Sequence, residues 1–115
     1  MAFPFETLKA YTLALDWVEE VDCLCANDNL GRAFTDQIQR AALSIPLNLA
    51  EGKGRWHKAA KRQFFWVARG FVFECVPLIT LLRRRNKISE TKYSEARERL
   101  DHLGRMISKL VQAHE

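Results

Sequence analysis

Four runs of apolar residues at helical spacing, separated by short polar breaks, make up the chain. In the first, Leu8, Tyr11, Leu15 and Val18 form one stripe, and Ala10, Ala14, Trp17, Val21 and Leu24 form a second beside it. At about 100° per residue the two stripes together cover roughly 200° of a helical wheel. Asp22 falls within the first stripe and Glu6 beside the second. The pattern predicts a helix from about Phe5 to Cys25 with two contact surfaces, one of them for another subunit. Asn27-Asp28-Asn29-Leu30-Gly31 is a turn by composition. A second helix is expected to begin between Arg32 and Thr35 and to end at Gly52, with Phe34, Ile38, Ala41, Ala42, Ile45 and Leu49 facing inward. Pro46 removes a backbone donor from this helix, which predicts a bend or an end there. Ser44 and Asn48 stand close enough to hydrogen-bond loosened backbone groups.

Residues 52–57, GKGRWH, are expected to form a loop, and a third helix to run from Lys58 to Asn86. Phe64, Ala68, Phe71, Cys75, Leu78 and Leu82 make a heptad-like seam on it. Phe65, Trp66, Val72, Phe73, Val76 and Ile79 fill its other faces. A helix apolar nearly all round has neighbours on every side, more than a monomer of 115 residues supplies, so the pattern predicts an oligomer. Pro77 predicts a second kink, and Gly70 permits a neighbour to approach closely. The apolar run Phe64–Leu82 is interrupted by Arg69, Gly70, Glu74 and Pro77, which favours a core helix over a membrane span. Ser89 is a suitable N-cap for a fourth helix, whose seam is Tyr93, Ala96, Leu100, Leu103, Ile107 and Leu110. The expected fold is therefore all-α: a single domain over residues 1–115, built as an up-down antiparallel four-helix bundle.

Composition changes this picture little. Hydrophobic residues make up 48% and charged residues 28%, with five Gly and three Pro, which excludes disorder and a turn-rich sheet. Cys23, Cys25 and Cys75 are odd in number, and the N-terminal residues carry no basic leader, so free thiols and a cytoplasmic location are expected. Each cysteine is read as a small apolar core residue.

Charge changes the picture more. Residues 1–51 carry a net −5, residues 52–87 a net +9, and residues 88–115 a net zero. The middle block contains Lys53, Arg55, Lys58, Lys61, Arg62, Arg69, Arg83, Arg84, Arg85 and Lys87 against the single acid Glu74, which must find a partner. Such segregation points to an anionic partner, with a solvated helix face as the plain alternative. Arg83, Arg84 and Arg85 sit at a helix C-terminus, where cations complement the dipole. The 53–62 cluster sits at a helix N-terminus, where the dipole opposes cations but free amides with Lys and Arg suit phosphate. Trp56 lies in the loop and either stacks on an unpaired base or packs on its own bundle.

Catalytic patterns are missing. No histidine (His57, His102, His114) follows a Glu by three positions, so the Glu-x-x-His metal motif is absent. Cys23 and Cys25 diverge by about 200° on a helix and cannot clamp one metal. Gly52-Lys53-Gly54-Arg55 lacks the spacing and the strand of a phosphate-binding loop. No enzyme, cofactor or metal is expected.

One segment is distinctive: Gln37-Ile38-Gln39-Arg40-Ala41-Ala42-Leu43-Ser44-Ile45-Pro46-Leu47-Asn48-Leu49-Ala50-Glu51-Gly52. It resembles the signature Q-x-x-R-A-x-x-S-I-P-x-N-I-A-E-G of the bacterial four-helix-bundle family that includes proteins encoded in intervening sequences of 23S ribosomal RNA genes. It departs from that signature only in Leu49 for Ile. Phe5-x-x-Leu8-x-x-Tyr11 and Phe64, Ala68, Gly70 and Glu74 are similar to the family's usual spacing. Gly70-Phe71 stands where the family commonly has Gly-Ser, Cys75 where it has Leu, and Pro77 is unusual in that helix. The resemblance implies an up-down bundle assembling as a homopentameric ring, without enzymatic activity. It also implies that Arg40, Ser44, Pro46, Asn48, Glu51 and Gly52 form a structural corner. The family is similar in turn to accessory proteins of diversity-generating retroelements, which bind a reverse transcriptase and RNA. The function expected is RNA binding by the basic block with Trp56. The alternative is a protein-interaction scaffold for a reverse transcriptase and its RNA.

Overall fold

The computed structural model describes residues 2–115 and contains helices only among them. A short 3-10 turn at Pro4–Thr7 leads into α1 (Lys9–Asn27), α2 (Arg32–Lys53), α3 (Lys58–Arg84) and α4 (Glu90–Ala113). Each helix packs on its neighbour in sequence, and α1 closes the ring against α4, while the backbones of the diagonal pairs α1–α3 and α2–α4 stay more than 8 Å apart. The four helices thus stand at the corners of a square, alternating in direction because the connections are short. The bundle measures 44 × 28 × 22 Å.

The connections follow local chemistry. Gly31 precedes α2 with φ +86°, a conformation that L side chains rarely adopt. Helix α3 ends two residues before the expected Asn86. The Lys87 N–H reaches the Leu82 carbonyl at 2.8 Å and the Asn86 N–H the Arg83 carbonyl at 3.0 Å, with Asn86 at φ 59°. That is the Schellman arrangement, with Asn in the left-handed position and Ile88 buried behind it. Ser89 caps α4 by accepting the Lys92 N–H at 3.1 Å.

Both internal prolines are carried within continuous helices, so neither ends its helix. Pro46 lacks an N–H and leaves the Ala42 carbonyl without its usual donor. The side-chain bonds nearby fall elsewhere: Ser44 Oγ donates to the Arg40 carbonyl and Asn48 Nδ2 to the Ser44 carbonyl, both at 2.8 Å. They brace the turns on either side of the proline.

Burial follows the sequence pattern in α1, α2 and α4. Ala10, Ala14, Trp17, Val21 and Leu24, the second stripe of α1, are all core. The first stripe stays at the surface, with Leu15 exposed and Leu8, Tyr11 and Val18 half-buried. The α4 seam is buried from Ala96 to Ile107, then continues through Val111 with Leu110 only half-buried. In α3 the register differs from expectation. The buried seam is Phe65, Ala68, Val72, Cys75, Ile79 and Leu82, while Phe64, Phe71 and Leu78 are half-buried. Two seams share Ala68, Cys75 and Leu82, and periodicity cannot choose between them. The positions of α2 and α4 on either side of α3 do. Helix α3 is long and apolar enough to cross a membrane, but its inner seam packs in the bundle core. Its outer face carries Trp66, Phe73 and Leu81 exposed to solvent.

Candidate nucleic-acid interface

The cations of the middle block stand at the two ends of α3, as their sequence positions indicated. That helix has 27 residues, so Lys58 and Arg84 stand roughly 40 Å apart. One end gathers Lys53, Arg55, Trp56, Lys58, Lys61 and Arg62. The other gathers Arg83, Arg84, Arg85 and Lys87. Arg69 lies between them.

At the first end, local structure corrects the reading of helix polarity. In an antiparallel bundle the N-terminus of α3 lies beside the C-termini of α2 and α4. Lys61 Nζ donates to the Lys53 carbonyl at 2.8 Å, in the last turn of α2. Arg62 donates to the carbonyl of His114, the residue that ends α4, at 3.0 Å. Both side chains satisfy carbonyls with no helical donor and sit at the negative ends of two dipoles. The dipole of α3 opposes these cations, but those of its neighbours favour them. Arg55 pairs with Glu51 at 2.9 Å and lies over the Phe64 ring. Lys53 and Lys58 have no side-chain partner among the described residues. Trp56 is 95% exposed, which rules out packing on its own bundle. His57 provides no side-chain cap to the first amides of α3, which stand beside Trp56 and Lys58 in the chain.

At the far end, Arg83 pairs with Glu90 at 3.2 Å and covers the Tyr93 ring, and Arg85 lies over Phe34. Arg84 and Lys87 are exposed and form no ion pair among the described residues. Midway, Arg69 Nε donates to Ser108 Oγ at 2.8 Å, with its guanidinium over Phe73 and Trp66.

Sequence reasoning missed a second set of cations. Arg97, Arg105 and Lys109 of α4 flank a groove of about 730 Å3 that they share with Arg69 of α3. The floor is apolar, formed by Val72, Phe73, Val76, Pro77 and Leu100. Residues 88–115 are neutral overall, so no charge block marked these cations. Their common spacing on one helix face was the only available signal.

The signature residues meet one another. Glu74 of α3 accepts a hydrogen bond from Gln37 Nε2 at 2.9 Å and lies 3.9 Å from an Arg40 guanidinium nitrogen, so the lone acid of the middle block is held by α2. Gly52 is buried in the last turn of α2, not in a loop. A Cβ built on it would come 2.8 Å from Phe65 Cε1, a close approach that only glycine permits. With Ser44, Asn48 and the Glu51–Arg55 pair, these contacts tie α2 to α3 and brace its last turns.

The thiols differ more than expected. Cys75 is buried, Cys25 half-buried and Cys23 exposed, so Cys23 is not a core residue. Burial pushes the Cys75 thiol up to about 11, partly offset by the Trp17 indole N–H beside it. That N–H is buried without a well-aligned acceptor, which leaves the weakly accepting sulfur as its neighbour. Burial also pushes the Glu20 carboxyl up, partly offset by Arg99 at 2.9 Å. Among the described residues no three His, Cys, Asp or Glu side chains gather around a possible metal position.

The profile of the 23S rRNA-intervening sequence protein family matches residues 6–109, nearly the whole bundle. The chain belongs to this family. No curated protein matches the sequence. The 23S rRNA-intervening sequence signature therefore has a visible structural purpose here, in clamping Glu74, bracing Pro46 and admitting Phe65 at Gly52.

Proposed function

We propose that this member of the 23S rRNA-intervening sequence protein family is a non-enzymatic homo-oligomer that binds RNA at the α2–α3 end. The observation that carries the reading is Trp56, 95% exposed on a loop between Lys53 and Lys58 and beside the uncapped N-terminus of α3. An exposed indole offers a stacking platform for an unpaired base. The helix amides and two unpaired lysines suit the adjoining phosphates. The family's description, which refers to an intervening sequence in 23S rRNA, makes RNA the natural nucleic acid to test. A homopentameric ring would repeat this end five times around one rim and add avidity.

A titration of binding to structured 23S-type RNA against salt tests the reading. Three phosphate contacts per protomer give a slope of about −2 in log K against log salt on unpaired RNA. Trp56→Ala is expected to weaken binding by about 1–3 kcal/mol, and Lys53→Glu with Lys58→Glu to flatten the slope. Lys61 and Arg62 are poor probes because they also cap helices. A slope near zero, or unchanged affinity in the Trp56 variant, overturns the proposal. A protein partner such as a reverse transcriptase would use the same exposed Trp56 as a docking anchor. Partner co-purification lost in Trp56→Ala, with no RNA binding by the isolated protein, favours that reading.

A further inference from the structure

The end of α4 reaches the corner of the bundle that carries Trp56, and it does so through one residue. The His114 ring stands 5.4 Å from the Phe65 ring, tilted by 58°. Its Nδ1 lies 2.7 Å from the Leu110 carbonyl. A carbonyl only accepts, so Nδ1 carries the proton and donates it. That bond and the Phe65 contact hold the half-buried ring in one orientation. The His114 carbonyl in turn accepts from Arg62 at 3.0 Å. Leu110 and His114 lie beyond residue 109, where the family match ends.

Phe65 passes the contact on towards the loop. It is fully buried and sits so close to Gly52 that a Cβ there would be 2.8 Å from its ring. The Gly52 carbonyl accepts from the Arg55 N–H, and the Ala50 carbonyl from the Gly54 N–H, both at 3.2 Å. Phe64, the next residue of α3, lies under the Arg55 guanidinium, 4.7 Å from it. Residues 54–57 therefore span two helix ends whose spacing depends on Phe65. Trp56 is 95% exposed, so no packing contact of its own sets the direction of the indole. Only the backbone on either side can do that.

We propose that His114 is a positioning residue for the 54–57 loop. Its ring against Phe65 and its carbonyl beneath Arg62 fix the end of α2 against the start of α3, and through them the direction of Trp56. The inference rests on the reading of Trp56 as the stacking residue for RNA and adds what holds it in place. A platform already ordered loses less conformational freedom when a ligand binds. His114 acts through the loop and not by contact with RNA.

Backbone amide exchange, followed residue by residue by NMR, tests the contact without RNA. In His114→Ala the Gly54 and Arg55 amides should exchange about 2- to 10-fold faster, the equivalent of one aromatic pair. The Lys87 amide, bonded to the Leu82 carbonyl at the far end of α3, should keep the parent rate. His114→Phe keeps a ring on Phe65 and should restore most of the protection. RNA affinity should fall by a similar factor in His114→Ala, and the same substitution made in Trp56→Ala should lower it no further. Unchanged exchange at Gly54 and Arg55 overturns the proposal, as does an equal rise at Lys87, which marks a general loss of stability. No recovery in His114→Phe overturns the route through Phe65. A loss of affinity that adds fully to that of Trp56→Ala marks direct contact with RNA and overturns the positioning role. A parent that binds no RNA overturns the function proposed for Trp56, and the exchange rates then still decide whether His114 holds the loop.

Discussion

Gly52 shows how little space separates a working contact from a clash. Phe65 occupies the volume that a side chain at residue 52 would need, and the nearest ring atoms lie at 2.8 and 2.9 Å. Gly52→Ala is expected to destabilise the bundle by about 1–3 kcal/mol, read from the midpoint of a urea titration, because an overpacked core must shift ring or helix. Lys61→Ala removes the donor from the last turn of α2 and should cost about 1 kcal/mol by the same measurement. At Cys75 the sign of the pH effect follows from the raised thiol. The folded state keeps the proton that the unfolded chain loses near 9.0, so this contribution is full below pH 9 and is lost as the pH climbs to about 11. Stability of the parent relative to Cys75→Ala should therefore fall across that window, by an amount on the order of 2–3 kcal/mol. Thiol labelling should modify Cys23 in the folded protein and spare Cys75 until the bundle opens.

Between helices, the α2–α3 pair is specified twice, by packing and by polar contacts. Gln37 and Arg40 of α2 both reach Glu74, which is otherwise a charge on an apolar helix. A double-mutant cycle with Gln37→Ala and Glu74→Ala is expected to give a coupling of about 0.5–1.5 kcal/mol, since the hydrogen bond is half-buried and in contact. The sequence showed that Glu74 needed a partner but not where it was. That partner lies 37 residues earlier, a separation that no local pattern spans. The register of α3 was hidden for a related reason. Phe64 and Phe65, Phe71 and Val72, Leu78 and Ile79 are adjacent apolar pairs, and each pair allows either member into the core. The α4 seam was legible because charged residues surround it and leave one choice.

Across the whole molecule, the basic block occupies the two ends of one long helix. Variants at Lys53 and Lys58 and variants at Arg84 and Lys87 are about 40 Å apart, so their effects on RNA affinity should add within about 0.5 kcal/mol when combined. Filter binding of the two double variants and the quadruple variant checks this. The sequence by itself determined the four helices, their turns, the family and most of the core, because periodicity and caps are local properties of the chain. Tertiary structure alone decided which cations serve the fold. Lys61 and Arg62 oppose the dipole of their own helix but complement those of α2 and α4, whose ends arrive from elsewhere in the chain. It also decided that Trp56 is solvent-exposed and that Arg69 shares a groove with Arg97, Arg105 and Lys109. Burial and charge proximity depend on how helices meet in space, and a one-dimensional pattern records only what each helix brings to the meeting.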